Sequence, residues 1–314
     1  MDLTRVVAIA NGKGGVGKTS LTANLAGEFT RLGLRILTVD LDKQASLGMQ
    51  FGVLDDSTDA GEGIYRAMTD GQPLEPITDI KPGIDYQPGG AKLEWIHGLQ
   101  FGSAAAAGED PDAAWQRAVQ QWRTALGECV EDNNYDLVLL DCPPGSRELQ
   151  TLALSAARWI LAPIDASAGS WLGVWKTLGP LVNSIRSSLN PDLDWLAMVL
   201  FGIPANATRM RKTVVDYVGD SDIPLLEGFV RSAPGIAQDS TTQGMLIREM
   251  ADGAPDQRQE LLAALRQRRT DPNVAVPRMP SAALRPLAED YAGIAREIEE
   301  LIVRAEAAAD ESAR

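Results

Sequence analysis

The sequence has few cysteines, a single histidine and no long apolar run, and each scarcity excludes a class of protein. Two cysteines, Cys129 and Cys142, do not make a disulfide framework. One histidine, His97, excludes multi-histidine metal sites and disfavours a histidine-based catalytic triad. No stretch approaches the roughly 18 consecutive apolar residues of a membrane span. No basic segment followed by an apolar run precedes the first predicted strand, so we expect no signal peptide. We therefore predict a cytoplasmic protein.

An overall excess of basic residues is also absent, because the formal net charge is -14 over 314 residues. Net acidity argues against a surface covered with cations. The charge is uneven, however. Residues 40–112 carry 14 acidic and 4 basic side chains, whereas residues 258–285 carry 6 arginines and 2 acids. This distribution leaves room for local basic patches.

Short apolar segments alternate with amphipathic segments, and the alternation predicts an α/β fold with a doubly wound, mostly parallel sheet. The predicted strands cover residues 4–11, 34–39, 135–140, 159–164, 195–203 and 225–230. Apolar residues at helical spacing predict helices over residues 21–32 and 113–129. Residues 51–90 are rich in Gly, Pro and Asp, and we predict only one short helix there, near 64–68.

The end of the chain has a different composition. We predict a charged helix over residues 256–269, an extended proline-containing segment over 270–286 and an amphipathic helix over 288–309. This division predicts one α/β domain over residues 1–253, with an acidic insertion near 88–114. We expect residues 254–314 to form a helical extension that packs on the same domain.

Residues 12–19, GKGGVGKT, fit the phosphate-loop pattern G-x-x-x-x-G-K-[ST] between the first strand and the first helix. Glycines allow several backbone N–H groups to point at one phosphate chain, and the helix N-terminus adds a positive dipole end. Lys18 reaches the β- and γ-phosphates, and Thr19 binds Mg²⁺ through its hydroxyl. The predicted ligands are ATP and Mg²⁺. The predicted nucleotide-binding residues are Gly14, Gly15, Val16, Gly17, Lys18, Thr19, Ser20 and Asn206.

Acidic residues follow two further predicted strands. Asp141 ends the strand YDLVLL, where a Walker B acid holds the metal. Asp40 and Asp42 follow the second strand, at the same carboxyl edge where ligands bind in open α/β sheets. A solvated turn is the alternative for this pair. Asn206, after the strand over 195–203, is a candidate to bind the adenine base or simply a turn asparagine.

Three segments together resemble the ParA/MinD ATPases, which carry a deviant Walker A loop. KGGVGKTS, with Lys13 as a second lysine, resembles that loop; VDLDKQ at 39–44 and LLDCPPG at 139–145 resemble the family's next two motifs. The similarity continues more loosely to about residue 250, through GFVRSAPGIAQDSTTQG at 228–244. The family usually has proline where this chain has Lys43, which either pairs with Asp40 or faces solvent.

The resemblance implies a catalytic set of Lys13, Lys18 and Asp42. Lys13 crosses a homodimer interface in the ATP state, touches the phosphates bound by the partner copy, and lacks its anionic partner without nucleotide. Asp42 orients the attacking water, while Asp40 supports the loop. The implied metal-binding residues are Thr19, Asp141 and Asp42.

The resemblance further implies a slow ATPase, stimulated by a basic-armed ParB-like partner, that segregates a plasmid, chromosome or phage replicon. In this family-based expectation, the ATP-bound dimer binds DNA without sequence specificity and associates with the nucleoid. Such binding needs cations on the phosphate backbone, and the candidates are Arg209, Arg211, Lys212 and Arg231.

Other functions remain open. One is a ParA-like or MinD-like ATPase that positions its cargo on a protein scaffold or a membrane. The acidic tail disfavours stable membrane association, because anionic lipid repels carboxylates. A redox protein similar to the nitrogenase iron protein needs differently placed cysteines, so we interpret Cys129 and Cys142 as buried structural residues.

Overall fold

A single eight-stranded sheet organises the computed structural model, which describes residues 3–53, 57–98, 110–218, 221–269, 274–276 and 279–312. The strand order is β3-β4-β2-β5-β1-β6-β7-β8, and every neighbouring pair is parallel except β3 with β4. The strands are β1 Val6–Ile9, β2 Ile36–Asp40, β3 Ile77–Lys81, β4 Ile84–Gln87, β5 Leu137–Asp141, β6 Trp159–Ile164, β7 Asp194–Ile203 and β8 Leu225–Arg231. This architecture confirms the predicted fold class.

Helices cover both faces of the sheet. They are α1 Lys18–Arg31, α2 Ser46–Phe51, α3 Glu62–Asp70, α4 Pro111–Asn133, α5 Arg147–Ala156, α6 Ala168–Gly173, α7 Gly179–Ser188, α8 Thr208–Val218, α9 Pro234–Gln243, α10 Ile247–Gln267 and α11 Leu284–Ser312. A π-helical turn, Val174–Leu178, joins α6 to α7, and a 3₁₀ turn covers Ala91–Trp95.

The central strands are buried on both faces, which explains their nearly continuous apolar sequences. In β1, Val6 and Ala8 pack with α3, α4 and α5, whereas Val7 and Ile9 pack with α1, α10 and α11. All six predicted strands are present, and their ends differ from the prediction by at most two residues. The predicted short helix near 64–68 is α3.

The structure shows a hairpin of β3 and β4 that the predicted strands do not include. The four residues of β4 alternate between apolar and polar side chains, which is the pattern of a short half-buried strand, yet all four are buried, including Asp85 and Gln87. Asp85 is tolerated there because its carboxylate accepts hydrogen bonds from Tyr135 Oη at 2.6 Å and Arg35 Nη2 at 3.1 Å. Long-range partners thus override the local pattern.

The C-terminal segments also differ from the prediction. The helix expected from residue 256 already begins at Ile247, and Pro255 lies inside it. The division between residues 253 and 254 therefore falls within α10, and the two-part organisation stays a prediction. The segment expected to be extended lies partly outside the described residues, and its end forms the first turn of α11. Of the acidic insertion near 88–114, residues 99–109 lie outside the described part.

The last helix, α11, packs on the core and protects the edge of the sheet. Tyr291, Ile294 and Ile298 are buried against the face that holds α1. The Glu297 carboxylate accepts hydrogen bonds from two backbone N–H groups of β8, at 2.9 Å each. Such a cap blocks pairing of an edge strand with another chain. Among the helices of the described ranges, none has both the length and the apolar composition that spanning a membrane requires.

Ile294→Ala tests whether α11 belongs to the same cooperative unit as the sheet. Ile294 is fully buried, so the truncation should lower the free energy of unfolding by about 3 kcal/mol. Val303→Ala, in the same helix but half exposed, should change it by less than about 0.5 kcal/mol. Urea unfolding followed by circular dichroism measures both. Equal, small effects would show that α11 is not part of the folding unit.

Candidate nucleotide-binding site

The loop between β1 and α1 has the backbone geometry that phosphate binding requires. Gly15 and Gly17 adopt positive φ angles of 74° and 85°, a conformation that residues other than glycine rarely adopt. A Cβ on Gly17 would lie 2.1 Å from the Phe201 ring, so β7 also requires glycine there. Gly17 is the N-cap of α1 and has no side chain to satisfy the first N–H groups of the helix. These N–H groups therefore stay available for an anion.

Lys18 is the first residue of α1, and its side chain is buried within the loop. Its Nζ donates a hydrogen bond to the backbone oxygen of Lys13 at 3.0 Å. Burial lowers the pKa of Lys18, and the nearby charge of Asp141 acts in the opposite direction. The result is a desolvated ammonium group, held beside acids, in the place that the sequence predicts for a phosphate contact.

Asp40 and Asp141 face each other across neighbouring strands. They are register partners at the carboxyl ends of β2 and β5, and both are buried. Burial, with a smaller effect from the charge of Asp42, raises the pKa of Asp40 to about 7. Burial and the charge of Asp40 raise the pKa of Asp141 well above its ordinary value. Two buried carboxyl groups this close disfavour each other's ionisation unless a cation joins them.

The surroundings of Asp141 fit a magnesium ion. Oδ1 of Asp141 is buried without a hydrogen-bond partner among the described residues, and the carboxylate also hydrogen-bonds the side chain of Thr19. A hydroxyl and a carboxylate oxygen are ligands that Mg²⁺ takes in phosphate sites. Asp40 is different, because its oxygens accept backbone N–H groups of Asp42 at 2.8 Å and Leu47 at 2.9 Å. Asp40 therefore holds the loop rather than a metal.

Asp42 lies half-buried in the loop after β2. Its Oδ1 accepts the backbone N–H of Gln44 at 3.0 Å, and its backbone oxygen accepts the N–H of Gly90 at 3.1 Å. Lys43 pairs with Glu94 at 3.0 Å. Of the two expected positions for this lysine, pairing with Asp40 is therefore wrong, and Lys43 lies half exposed at the surface.

The expectation that Lys13 lacks an anionic partner in the absence of nucleotide is wrong, because Lys13 forms an ion pair within its own chain. Its Nζ lies 2.6 Å from Oδ2 of Asp165 and 3.0 Å from Oγ of Ser167. Burial acts to raise the pKa of Asp165, but the hydrogen bonds of Lys13 and Ser167 outweigh it and hold the pKa below its ordinary value. Sequence reasoning missed Asp165, although it follows β6 at the carboxyl edge of the sheet. Its position after a strand is the one local signal for Asp165. The ion pair itself leaves no local pattern, because 152 residues separate Lys13 from Asp165.

Two other residues predicted to contact nucleotide, Ser20 and Asn206, lie outside the loop segment that carries the two glycines. The Ser20 hydroxyl lies 3.2 Å from Tyr291 Oη and joins α1 to α11. Asn206 is exposed in the turn after β7. This turn and the phosphate loop both follow the carboxyl ends of parallel strands, so they lie at the same edge of the sheet. Both cysteines are buried free thiols, and burial raises the pKa of Cys129 to about 11.

The structure separates the four candidate DNA contacts into two kinds. Arg209 and Lys212 are exposed on the first turns of α8. Arg211 instead lies 4.0 Å from the Phe229 ring centroid, and its Nε is buried. The guanidinium group of Arg231 donates two hydrogen bonds to Asp290, at 2.6 and 2.7 Å. The guanidinium groups of Arg211 and Arg231 are therefore already engaged inside the molecule.

A parallel sheet whose glycine-rich loop joins β1 to α1, opposite buried acids on β2 and β5, defines a P-loop nucleotide-binding protein. The model of the CobQ/CobB/MinD/ParA nucleotide binding domain matches residues 7–242. The chain belongs to this family of nucleotide-binding ATPases.

Partitioning proteins are among its sequence relatives. The chromosome-partitioning ATPase Soj of Thermus thermophilus is 35% identical over 196 residues, which cover 62% of this chain and 68% of Soj. The chromosome partitioning protein ParA of Caulobacter vibrioides is 29% identical over 198 residues, with 62% and 68% covered.

Solved structures support the fold. Cobyrinic acid a,c-diamide synthase of Mycobacterium smegmatis, with bound ADP and magnesium, superposes with a TM-score of 0.61 at 24% identity, covering 88% of this chain and 99% of that one. The MinC:MinD cell division complex of Aquifex aeolicus gives a TM-score of 0.62 at 20% identity, covering 94% and 96%.

The variant Asp40→Asn tests whether burial raises the pKa of Asp40. The measured quantity is the pH dependence of the free energy of unfolding. Because the folded-state pKa of Asp40 is raised from 3.8 to about 7, its protonated form favours folding at low pH. That contribution is lost as the pH rises through about 7. Without nucleotide and in EDTA, the stability of the variant relative to wild type should rise by roughly 2 kcal/mol between about pH 5 and pH 8. Urea titrations measure the difference, and a constant value across this range would contradict a raised pKa.

Proposed function

We propose that this protein is a ParA-type ATPase that dimerises on binding Mg-ATP, binds DNA without sequence preference and segregates a plasmid, chromosome or phage replicon. The carrying observation is Lys13, a second loop lysine whose ammonium group is held at the surface by an exchangeable pair with Asp165. The similarity to Soj and ParA supports the partitioning role. A basic-armed ParB-like protein is the proposed activating partner, and the bacterial cytoplasm, at the nucleoid, is the proposed location.

The residues of the loop divide the work of nucleotide binding. Backbone N–H groups of residues 14–19 and the Lys18 ammonium bind the phosphates. Thr19 and Asp141 hold Mg²⁺, and Asp42 reaches it from the adjoining loop. When bound, magnesium neutralises charge on the phosphates and the leaving group. Asn206, in the turn after β7, is the proposed contact for the base.

Asp42 is the proposed residue that orients the attacking water. Its backbone is fixed from both sides, by Asp40 and by Gly90, while its carboxylate stays partly accessible. A carboxylate in that position accepts a hydrogen bond from water and aligns it with the γ-phosphate. The Asp42 carboxylate is a weak base and acts alone in this loop. We therefore expect slow ATP hydrolysis that a partner accelerates.

Lys13 is the proposed switch between monomer and dimer. In the free chain the ion pair with Asp165 occupies its ammonium group. A partly exposed pair of this kind contributes little to stability, about 0 to 1 kcal/mol, so it exchanges readily. Transfer of the ammonium to the phosphates bound by a second copy replaces one negative charge with several. The dimer therefore depends on triphosphate.

Positioning on a protein scaffold, instead of DNA, is the second candidate function. Two observations favour it: the net charge of -14, and the internal partners of Arg211 and Arg231. Both lower the number of cations available for phosphates. Binding to DNA in the presence of ATP decides between the two candidates.

Lys13→Ala should abolish dimerisation in a non-cleavable ATP analogue and Mg²⁺ while leaving nucleotide binding by the monomer. Asp165→Asn removes the competing partner of Lys13 and should lower the analogue concentration needed for dimerisation by about threefold. Lys176→Ala, an exposed lysine outside the loop, is the matched control. Sedimentation velocity measures all three, and a Lys13→Ala chain that dimerises like wild type would remove the basis of the proposal.

Arg209→Glu combined with Lys212→Glu should weaken ATP-dependent retention on DNA. If each cation contacts one phosphate, the slope of log affinity against log salt should fall by about two for each copy. Arg296→Glu with Arg304→Glu changes the net charge equally on the exposed side of α11 and is the control. Equal losses in both double variants would indicate an effect of net charge alone. No retention of wild type with ATP at low salt would favour the scaffold function.

A further inference from the structure

A pocket of about 330 Å³ lies away from the phosphate loop, between the N-terminal end of α3 and the end of β4. Three acidic side chains and one arginine line it: Asp59, Glu62, Arg66 and Glu75. We call it the acidic pocket. It belongs to an acidic segment of the chain, residues 40–112, which carry 14 acidic and 4 basic side chains. None of the residues assigned above to nucleotide or DNA lines it.

The charges in the acidic pocket are not balanced. Glu62 is neutralised, because Nε of Arg66 lies 2.8 Å and Nζ of Lys92 lies 3.0 Å from its oxygens. Both oxygens of Asp59 accept backbone N–H groups at the start of α3. Glu75 is exposed, and in the part of the chain that the structure describes it has no ion pair. Its negative charge is available to a guest.

A second polar group adjoins the wall of the pocket. Gln87, the last residue of β4, is completely buried, and neither its amide oxygen nor its amide nitrogen has a partner among the described residues. Its Nε2 lies 3.1 Å from the point that a Cβ on Gly63 would occupy, and Gly63 lines the pocket. A buried amide without partners is unfavourable. Because Gly63 has no side chain, the amide of Gln87 lies directly behind this part of the pocket wall.

The remaining walls suit an aliphatic chain. Pro73, Ile77 and Pro88 supply apolar surface beside the Glu75 carboxylate. Arginine and lysine side chains combine a cationic head with an apolar stem. The head can pair with Glu75, and the stem can pack on the apolar residues of the wall. We propose that the acidic pocket receives an arginine or lysine side chain of the polypeptide that activates ATP hydrolysis. This inference rests on the proposed function, which requires such a partner.

A short backbone path joins the pocket to the loop that holds Asp42. Pro88 lines the pocket, and the next two residues pack directly on that loop. The N–H of Gly90 donates to the backbone oxygen of Asp42 at 3.1 Å. A Cβ on Gly89 would lie 2.5 Å from the Asp40 oxygen and 2.6 Å from the Asp42 oxygen. Any displacement of Pro88 by a guest therefore reaches the residue proposed to orient water.

The experiment uses the full chain with Mg-ATP and a fluorescently labelled nona-arginine peptide as the probe. Peptide anisotropy gives the dissociation constant at about 150 mM salt, where long-range attraction is screened, and phosphate release gives the rate. Glu75→Lys is compared with Glu128→Lys, which changes the net charge equally at an exposed position on α4. We expect Glu75→Lys to raise the dissociation constant about tenfold, Glu128→Lys less than about twofold, and neither to change the peptide-free rate.

Selective loss of peptide binding and of stimulation in Glu75→Lys supports the proposal. Equal weakening in both variants would overturn it, because the peptide would then respond to net charge alone. Binding without any stimulation of wild type would overturn the assignment to an activating partner. The peptide-free rate and ATP-dependent retention on DNA test the proposed function separately, so failure of the pocket leaves those results unaffected.

Discussion

The alignment of three strand ends at one edge of the sheet is the constraint on which the site depends. β5 lies between β1 and β2, and its last residue, Asp141, is the register partner of both Ile9 and Asp40. The chain therefore leaves β1 directly opposite two buried carboxyl groups. Without a cation these groups compete for protons, and the Lys18 ammonium offsets only part of their charge. In the proposed function, a magnesium ion bound with the triphosphate would offset the remaining negative charge of these carboxyl groups.

Lys13 connects this centre to the surface. Its backbone N–H donates a hydrogen bond to Asn11 at 2.9 Å, and its side chain donates one to Asp165 at 2.6 Å. The same region packs tightly, since a Cβ on Gly12 would lie 2.8 Å from Thr177 in the π-helical turn. Helical turns of this kind often mark functional sites. Movement of Lys13 and movement of the helices after β6 are therefore expected to be coupled.

The sequence alone predicts what depends on local pattern. The phosphate loop, the six apolar strands and the acids Asp40 and Asp141 all carry a signal within a few residues, and each lies where its pattern indicates. Contacts between distant segments carry no such signal. The pair of Lys13 with Asp165, the pair of Arg231 with Asp290 and the burial of Asp85 and Gln87 in β4 depend on the finished fold. For the same reason, the sequence pattern of cations overstated the number that are free to meet DNA.

In the proposed switch, triphosphate moves the Lys13 ammonium group of each copy from Asp165 to the phosphates bound by the other copy. A crystal structure of the wild-type chain with a non-cleavable ATP analogue and Mg²⁺ examines this claim directly. We expect two copies that face each other, with Nζ of Lys13 away from Asp165 and on the phosphates bound by the second copy. A chain that holds the analogue while Lys13 stays on Asp165 would contradict it.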